Sequence, residues 1–496
     1  MKIVREKSEL KDVIKTTSRE AKSYFGDDSI FVEQFIEDPR HIEIQVLGDK
    51  HGNVIHVYER ECSIQRRYQK IIEESPSPTL NQETREKMGE EAVKIAKSIG
   101  YDSAGTIEFL VDKNLNYYFL EMNTRIQVEH PVTEMVTGID LVQEQIKIAA
   151  GKKLEIRQKD VKQNGHAIEA RIYAEDAEND FAPAPGDITY YFQPENENVR
   201  IDSSINKAVT IQSNFDPMIS KVIAFGENRD AARISLIESL ENHVIHGIKT
   251  NIPFLTAMLN SKQFVSNQVS TKFCDLHADL ILKEIDKKRK SIHHEEYVIG
   301  FALHSLGFKT NNRSIWENIG FWRINQELKI NFLGNEYLLK FKRNKEKQFV
   351  FYMNDLVFNT EVLNQNKNYI ECLINNNHEK FSVSLSPNHD YFINEVEFNF
   401  NISRSDELIE EDFFTSAESV ESANIIHSPM PGKVVEIKVK EGDDVSKGDT
   451  LLIVEAMKME NSIKSGIDSK VEKININVGD AVSTSDVLIE LSEIED

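Results

Sequence analysis

Two short runs in the first quarter of the chain place oxygen ligands at matching positions. Residues 106–111 and 117–123 are strand-like and are joined by a polar turn. If they pair as a hairpin, Glu108 and Glu121 face each other, and Asn123 lies on the same face because side chains alternate along a strand. Two carboxylates and an amide suit magnesium, which prefers oxygen ligands. A pair of solvent-facing glutamates on an edge hairpin is the alternative that the spacing leaves open.

The loop that follows concentrates polar groups of several kinds. Residues 124–134 contain Arg125, Gln127, Glu129 and His130 ahead of a helix that is expected to start near Thr133. Such a mixture beside a possible metal site indicates anion chemistry. A solvated loop would also tolerate it.

A third candidate, Lys458, lies near the C-terminus in the run EAMKME of residues 455–460. The flanking sequences repeat at one constant offset, with Gly442-Asp443 matching Gly479-Asp480 and Val445 matching Val482. Two such runs predict two half-sandwiches related by a pseudo-twofold axis. Lys458 would then lie on the hairpin between the halves, where an enzyme could modify it. A plain surface lysine is the alternative.

The elements that must position these residues follow from periodicity and turn signals. We expect a strand at 1–5, a helix over 8–25 with Ser8 as N-cap, a β run at 30–36, an antiparallel hairpin of 41–49 with 53–60 that carries polar groups on one face, and a helix over 82–99.

Length and composition exclude several classes. At 496 residues the chain is long enough for about three domains. The net charge of −23 argues against nucleic-acid binding, which needs a basic face. Three scattered cysteines, without a CxxC spacing, indicate a reducing compartment. No apolar run is long enough to span a bilayer and no signal peptide is visible, so we expect a cytoplasmic protein, or one of the mitochondrial matrix in a eukaryote.

Four motifs together resemble the biotin carboxylase component of biotin-dependent acyl-CoA carboxylases, an ATP-grasp enzyme. They are PRHIEIQVLGD, ERECSIQRRYQKIIEESPSP, EMNTRIQVEHPVTEMVTG and GHAIEARIYAED, in the family's order, and the resemblance runs from Met1 to about residue 285. The sequence around Lys458 resembles the biotinyl/lipoyl domain family, and its AMKM run is similar to the biotin version. Residues 314–323 resemble a linking stretch in subunits of the 3-methylcrotonyl-CoA type.

The resemblance implies a multidomain α+β protein. The expected order is a partial ATP-grasp domain at 1–150, a biotin carboxylase C-terminal domain at 151–285, a β-rich subunit-docking domain at 286–405, a flexible tether at 406–424, and a biotinyl domain, a flattened β-barrel or sandwich, at 425–494.

The resemblance also assigns roles to residues. Glu129 is implied as the general base toward bicarbonate, Arg171 as the residue that stabilises the biotin enolate, and Lys458 as the biotinylated lysine. Bicarbonate would be held by Lys70, Arg125, Gln127 and the backbone at Val128. ATP would lie against Glu33, Gln34, Ile36, His41, Gln65, Leu110 and Glu108. Glu108, Glu121 and Asn123 match the family's magnesium positions.

The implied function is the biotin-carrying α subunit of an acyl-CoA carboxylase, a ligase that uses ATP, bicarbonate, covalent biotin and magnesium or manganese. Its implied partners are a separate carboxyltransferase (β) subunit and a biotin protein ligase, in a hetero-oligomer. The expected acceptor is 3-methylcrotonyl-CoA, with propionyl-CoA or acetyl-CoA as alternatives. A catalytically incomplete biotin carrier and a lipoyl-type carrier are the competing functions.

Two departures from the family pattern matter. Tyr68 stands where the family commonly has a histidine, which puts one nucleotide contact in doubt. The family's N-terminal domain, phosphate-binding lysines and glycine-rich loop have no counterpart in this sequence, since Met1 aligns just after that loop. Because such a loop and its lysines neutralise phosphates, we expect this polypeptide alone to bind ATP weakly and not to carboxylate biotin.

Overall fold

A computed structural model describes residues 2–213, 215–306, 327–345, 347–386, 390–405, 425–428, 432–456, 459–483 and 486–492. The chain divides into two compact units. The first comprises Met1–Lys70, Ser75–Lys162 and Val269–Cys274, and the second comprises Ile71–Glu74, Gln163–Gln268 and Asp275–Asp496. Among the described residues, no helix combines the length and apolarity needed to cross a bilayer.

The first unit is built on an antiparallel sheet with helices beside it. Its elements, with one strand shared at the unit boundary, are α1 (Leu10–Phe25), β1 (Arg40–Gly48), β2 (Val54–Arg66), β3 (Gln69–Ser75), α2 (Gln82–Ser98), β4 (Ser103–Val111), β5 (Tyr117–Asn123), α3 (His130–Thr137) and α4 (Leu141–Ala149). Within this unit the strand order is β2-β1-β4-β5.

Strand alternation gives this sheet one apolar and one polar face. Ile42, Ile44 and Val46 of β1 pack with Met88 and Ala92 of α2 in one buried cluster. The intervening residues of β1 therefore point to the opposite face, which carries the polar side chains described below. The predicted polar-faced hairpin is confirmed by the antiparallel pairing of β1 with β2.

Several local predictions in this unit are wrong. Residues 2–5 and 27–36 form no strand, although 30–36 are rich in strand-forming residues. Phe31 is 90% exposed. A strand is stabilised by a neighbouring ladder, and local composition does not supply one. Helix α1 has Glu9 rather than Ser8 at its N-cap, and α3 begins at His130, three residues before the predicted start, with a proline in its first turn.

The part of the second unit that precedes the barrel combines short strands and helices. Its elements are β6 (His166–Tyr173), β7 (Glu175–Asp176), β8 (Ala182–Pro183), β9 (Gly186–Ile188), β10 (Tyr190–Phe192), β11 (Val199–Ser203), β12 (Val209–Ile211), β13 (Met218–Gly226), α5 (Arg229–Glu241), β14 (Val244–His246), α6 (Ile252–Asn260), α7 (Lys262–Val265), α8 (Phe273–Lys290) and α9 (His294–Leu306). Strand β13 pairs with both β6 and β11.

A closed eight-stranded antiparallel barrel follows α9. Its strands are β15 (Glu327–Phe332), β16 (Asn335–Lys345), β17 (Gln348–Met353), β18 (Leu356–Asn366), β19 (Tyr369–Ile374), β20 (Asn377–Leu385), β21 (Tyr391–Glu395) and β22 (Phe398–Arg404). Tyr297 of α9 stacks on Phe332 at 5.4 Å between ring centroids and meets Phe381 and Phe400 edge-on. Helix α9 is thus held by inward-facing rings from three strands, and a Cβ at Gly300 would lie 2.5 Å from the Phe381 ring.

The C-terminal region forms two four-stranded sheets, β23-β30-β28-β25 and β27-β26-β24-β29. The strands are β23 (Ile425–His427), β24 (Gly432–Ile437), β25 (Asp444–Val445), β26 (Thr450–Ala456), β27 (Met459–Lys464), β28 (Ser469–Ile474), β29 (Ala481–Val482) and β30 (Val487–Ser492).

The predicted internal repeat is confirmed in this region. The Val434 amide donates to the Asp480 carbonyl at 2.9 Å, and the equivalent Val471 amide donates to the Asp443 carbonyl at 2.9 Å. The matching glycines, Gly442 and Gly479, have φ of 93° and 101°. Each half thus exchanges the same bonds with the other, as a pseudo-twofold axis requires.

Candidate active site

The predicted facing of the two carboxylates is confirmed by the register of β4 and β5. Glu108 pairs directly with Glu121 across the ladder. The Asn123 amide donates to Glu108 Oε1 at 2.9 Å and to Glu121 Oε1 at 3.1 Å. One amide therefore holds two carboxylates together, and carboxylate oxygens are hard donors of the kind that magnesium prefers.

His41 connects this carboxylate pair to the neighbouring strand. Gln65 donates an amide hydrogen to His41 Nδ1 at 2.7 Å, so His41 Nε2 carries a hydrogen, which it donates to Glu108 at 2.8 Å. Leu110 pairs with His41 across β1 and β4. The structure therefore brings together His41, Gln65, Leu110 and Glu108, all predicted from the resemblance to contact the nucleotide.

Lys70 lies at the centre of three carboxylates. Its Nζ is 2.5 Å from Glu129, 2.6 Å from Glu43 and 3.4 Å from Glu108. Burial works against the charged ammonium, but the carboxylates, Glu43 foremost, raise the pKa of Lys70 well above its usual range. The lysine is therefore a fixed cation in a mostly buried site.

The two buried acids keep their charge for a related reason. Burial of Glu43 favours its neutral form, but Lys70 and Arg60 together lower its pKa to about 2. Burial likewise acts against ionised Glu108, and the His41 hydrogen bond with the charge of Lys70 lowers its pKa to about 2. Both carboxylates are thus ionised at neutral pH.

Arg60 is a component that the sequence analysis missed. Its guanidinium is fully buried, lies 2.6 Å from Glu43, and donates to Gln45 at 2.7 Å and Gln127 at 2.9 Å. Thr106 and Thr133 accept two further hydrogen bonds from it. The signal was available, because Glu43 and Gln45 alternate on β1 and an arginine lies opposite them on the predicted hairpin.

The loop after β5 supplies part of the expected anion pocket. Gln127 is buried and donates to Glu108 at 2.7 Å, and Glu129 is buried against Lys70. Val128 lies half-buried between them. Arg125 is exposed and donates to the Ile126 carbonyl at 3.1 Å, so its guanidinium is not part of the buried cluster.

The remaining predicted residues fall into three groups. Glu33 and Gln34 are exposed in a segment without a strand, whereas Ile36 is buried. In the second unit Arg171 is 2.5 Å from Glu73. Lys458, residues 307–326 with the stretch at 316–323, and the tether at 406–424 lie outside the described residues.

Tyr68, which departs from the family pattern, lies with Arg67 in the turn between β2 and β3. Both residues have positive φ, and Tyr68 is 86% exposed. Its side chain therefore points away from the buried cluster formed by Lys70 and the glutamates.

Known protein families match three stretches of this chain. Three family models match in succession: the ATP-binding domain of the carbamoyl-phosphate synthase L chain over residues 1–157, the biotin carboxylase C-terminal domain over 169–275, and the biotin-requiring enzyme domain over 424–491.

Biotin carboxylase 1 of Bacillus subtilis is 51% identical over 278 residues, which are 56% of this chain and 62% of that protein. The mitochondrial propionyl-CoA carboxylase alpha chain of Homo sapiens is 38% identical over 472 residues, 89% of this chain and 62% of that one. The biotin carboxylase domain of Hydrogenobacter thermophilus 2-oxoglutarate carboxylase, solved with MgADP, ADP and bicarbonate, matches with a TM-score of 0.55 and 45% identity over 56% of this chain and 62% of its own.

The fold and site therefore define a biotin carboxylase-type ATP-grasp protein that also carries a biotin/lipoyl domain. Similar sequences also include the mitochondrial propionyl-CoA carboxylase alpha chain of Homo sapiens and the mitochondrial methylcrotonoyl-CoA carboxylase subunit alpha of Rattus norvegicus. The chain spans about 62% of the length of the Bacillus subtilis and Homo sapiens relatives.

Proposed function

We propose that this chain is the biotin-carrying α subunit of an acyl-CoA carboxylase. Its carboxylase part would transfer a carboxyl group from bicarbonate, at the expense of ATP, to biotin on Lys458. A separate carboxyltransferase subunit would then pass the group to an acyl-CoA. The observation that carries the proposal is the contact of the Lys70 ammonium with Glu129, beside the Glu108–Asn123–Glu121 oxygen cluster.

The first chemical role is anion binding and proton removal. Lys70 and the amide of Gln127 can hold bicarbonate by charge and hydrogen bonding, with Arg125 and the backbone at Val128 as further proposed ligands. Glu129, fixed by Lys70, can accept the bicarbonate proton. The freed oxygen can then attack the γ-phosphorus of ATP, whose bond to the β–γ bridging oxygen breaks as ADP leaves.

The metal and the nucleotide fit the residues present. Glu108, Glu121 and Asn123 would hold magnesium or manganese, which would neutralise phosphate charge when bound. His41, Gln65 and Leu110 lie beside Glu108, in agreement with a nucleotide edge there. For Glu33, Gln34 and Ile36 the contact with ATP remains a prediction.

Biotin is the mobile carrier of the carboxyl group. Ala456 pairs with Met459, so β26 and β27 form a hairpin around the position of Lys458 in the sequence. Arg171, held by Glu73, is the proposed stabiliser of negative charge on the biotin ring. A biotin protein ligase would attach the cofactor.

The identity of the acyl-CoA acceptor is proposed from one sequence stretch and from the extent of two matches. The sequence at 314–323 favours 3-methylcrotonyl-CoA. Propionyl-CoA is a second candidate because the match to the human propionyl-CoA carboxylase alpha chain extends over 89% of this chain, whereas the match to the rat methylcrotonoyl-CoA carboxylase alpha subunit covers 56%. A panel of acyl-CoA substrates, assayed with the carboxyltransferase that copurifies with this chain, distinguishes the two.

Two experiments test the function itself. Coexpression with a biotin protein ligase, followed by peptide mass spectrometry, should place biotin on Lys458, and unmodified or lipoylated Lys458 would count against the proposal. Bicarbonate-dependent ATP cleavage should be weak for this polypeptide alone and should rise when the glycine-rich ATP-binding segment of a relative is supplied. Absence of any rise would favour the alternative of a catalytically incomplete biotin carrier.

A further inference from the structure

One outer face of the barrel is basic and partly apolar. Lys329 of β15 and Lys340 and Lys342 of β16 point outward and are exposed, together with Leu338 and Val357. Lys329 lies opposite Leu338 on β16. Lys340 lies opposite Tyr352 on β17, and Tyr352 lies opposite Val357 on β18. These five outward residues form one continuous surface, here named the basic face.

Two carboxylates lie among the three lysines of the basic face: Glu327 beside Lys340, and exposed Glu336, which accepts a hydrogen bond from the Ser405 hydroxyl at 3.2 Å. The face therefore has a net charge of +1. Lys340 lies 3.5 Å from Glu327, with its side chain 64% exposed. No carboxylate of the described residues lies within 4.0 Å of Lys329 or Lys342. The positive charge of this surface is opposite in sign to the net charge of the chain, −23, and would attract an acidic segment.

The chain leaves the barrel at this surface. Ser405 follows β22 directly, and its amide donates to the Lys329 carbonyl at 3.0 Å. Five of the next seven residues are acidic, and residues 406–424 contain no lysine or arginine. Leu408, Ile409, Phe413 and Phe414 add apolar side chains among the acids.

We propose that residues 406–414 dock on the basic face. Their carboxylates match the exposed lysines, and their apolar side chains match Leu338 and Val357. The segment begins beside its docking surface, so little loop-closure entropy opposes the contact. Only 415–424 would then act as the tether of the biotinyl domain, which shortens its greatest span from about 65 Å to about 35 Å. That consequence rests on the proposed function, whereas the docking itself does not.

Carbodiimide cross-linking of the full biotinylated chain tests the docking. This reagent joins a carboxylate directly to an amine in contact with it. A mixture of ¹⁵N-labelled and unlabelled protein separates links within one chain from links between two copies. We expect links within one chain from Lys329, Lys340 or Lys342 to the acids of 406–412, and their loss in high salt. Absence of these links, or their presence only between copies, would overturn the proposal.

A proteolysis assay provides a second readout. The triple variant K329S/K340S/K342S should be cut by a glutamate-specific protease within 406–412 at least about threefold faster than the wild type, since three exposed ion pairs are lost. The matched control is K367S/K380S, which removes two exposed lysines from other parts of the barrel surface. Equal rates in the triple variant, the control and the wild type would also overturn the proposal. Biotinylation of Lys458 serves as an independent check, because its failure would affect the proposed function and leave the docking result intact.

Discussion

The carboxylase site and the biotinyl domain are stabilised in opposite ways. Around Lys70 the first unit buries ionised side chains, and Arg60 and Glu43 are both completely shielded from solvent. The core of the biotinyl domain is aliphatic, and its buried residues are related in pairs by the internal repeat, as in Val434 with Val471 and Leu451 with Leu488. The first arrangement holds buried charges in fixed positions, and the second builds a small aliphatic core.

The energetic consequences of the two arrangements differ. Buried charges are costly to desolvate, so a charge network of this kind is stable only while every partner is present. The aliphatic core contributes through burial of apolar area, and each residue adds a modest increment. Substitutions should therefore have abrupt effects in the carboxylase site and graded effects in the biotinyl domain.

The largest expected effect concerns the reaction itself. The substitution Glu129→Gln keeps the shape of the side chain but removes its basic oxygen. Carboxylation of the biotinylated chain by ¹⁴C-bicarbonate, with the ATP-binding segment of a relative supplied, should fall by about 10²–10⁴-fold. Exposed Glu155→Gln is the control and should retain its rate. A wild-type rate in Glu129→Gln would show that Glu129 is not the general base.

The charge network itself is tested by Arg60→Ala. This change leaves buried Glu43 with one cationic partner fewer, and we expect a loss of about 3–5 kcal/mol in the free energy of unfolding. Arg157→Ala removes an exposed pair with Asp160 and should cost at most about 1 kcal/mol. Denaturant unfolding measures both. Similar losses in the two variants would contradict the contrast between buried and exposed charge.

A buried histidine of the second unit sharpens the comparison, because it is neutral and hydrogen-bonded and has no ionic partner among the residues that the structure describes. His246 contacts Ser384 at 2.8 Å and Asn394 at 3.2 Å, and burial lowers its pKa to about 4. Its unfolded form protonates near pH 6.5, so its contribution to stability is complete above that pH and decreases as the pH falls toward 4.

When the pH is lowered from 7 to 5, protonation linked to His246 should decrease the free energy of unfolding of the wild type by about 2 kcal/mol. The His246→Gln variant should lack that part of the pH dependence, although it is less stable at pH 7. His378→Gln, which replaces a half-exposed histidine beside Glu371, is the comparison variant. Unfolding curves at the two pH values give the comparison, and identical slopes for all three proteins would refute it.

The smallest expected effects lie in the symmetric turns of the biotinyl domain. Asp443 accepts a hydrogen bond from the Lys440 amide at 2.8 Å, and Asp480 accepts one from the Asn477 amide at 2.8 Å. Asp443→Ala and Asp480→Ala should each lower the unfolding free energy by about 1 kcal/mol, and by similar amounts. Asp444→Ala is the exposed control. Thermal unfolding measures the stability of each variant. A loss of stability in only one of Asp443→Ala and Asp480→Ala would contradict the equivalence of the two turns.

The sequence predicted the parts of the molecule that depend on local alternation and repetition. The facing of Glu108 and Glu121 followed from strand periodicity, and the biotinyl sandwich followed from the repeat. Contacts between distant segments were less accessible. Arg60 reaches Thr133 and Gln127 from a separate strand, and no periodicity within β2 indicates those partners. The segment at 30–36 has strand composition but lacks a neighbouring ladder, so the prediction there was wrong.

Helix α9 is a second element that sequence periodicity did not predict. Its central residues, among them Val298, Ile299 and Phe301, are buried all around the helix. A helix surrounded by a barrel has no polar stripe, so the usual amphipathic signal is absent. The sequence analysis expected a β-rich region there and did not identify the helix that fills it.

The most direct test of the account is transfer of ¹⁴C-bicarbonate label to the biotinylated chain in the presence of MgATP and the ATP-binding segment of a relative. We expect the label on the peptide that contains Lys458, its loss in Lys458→Arg, and a reduction of at least about a hundredfold in Glu129→Gln. Label on a different peptide, or undiminished label in either variant, would contradict the central claim that the Lys70–Glu129 site serves the biotin on Lys458.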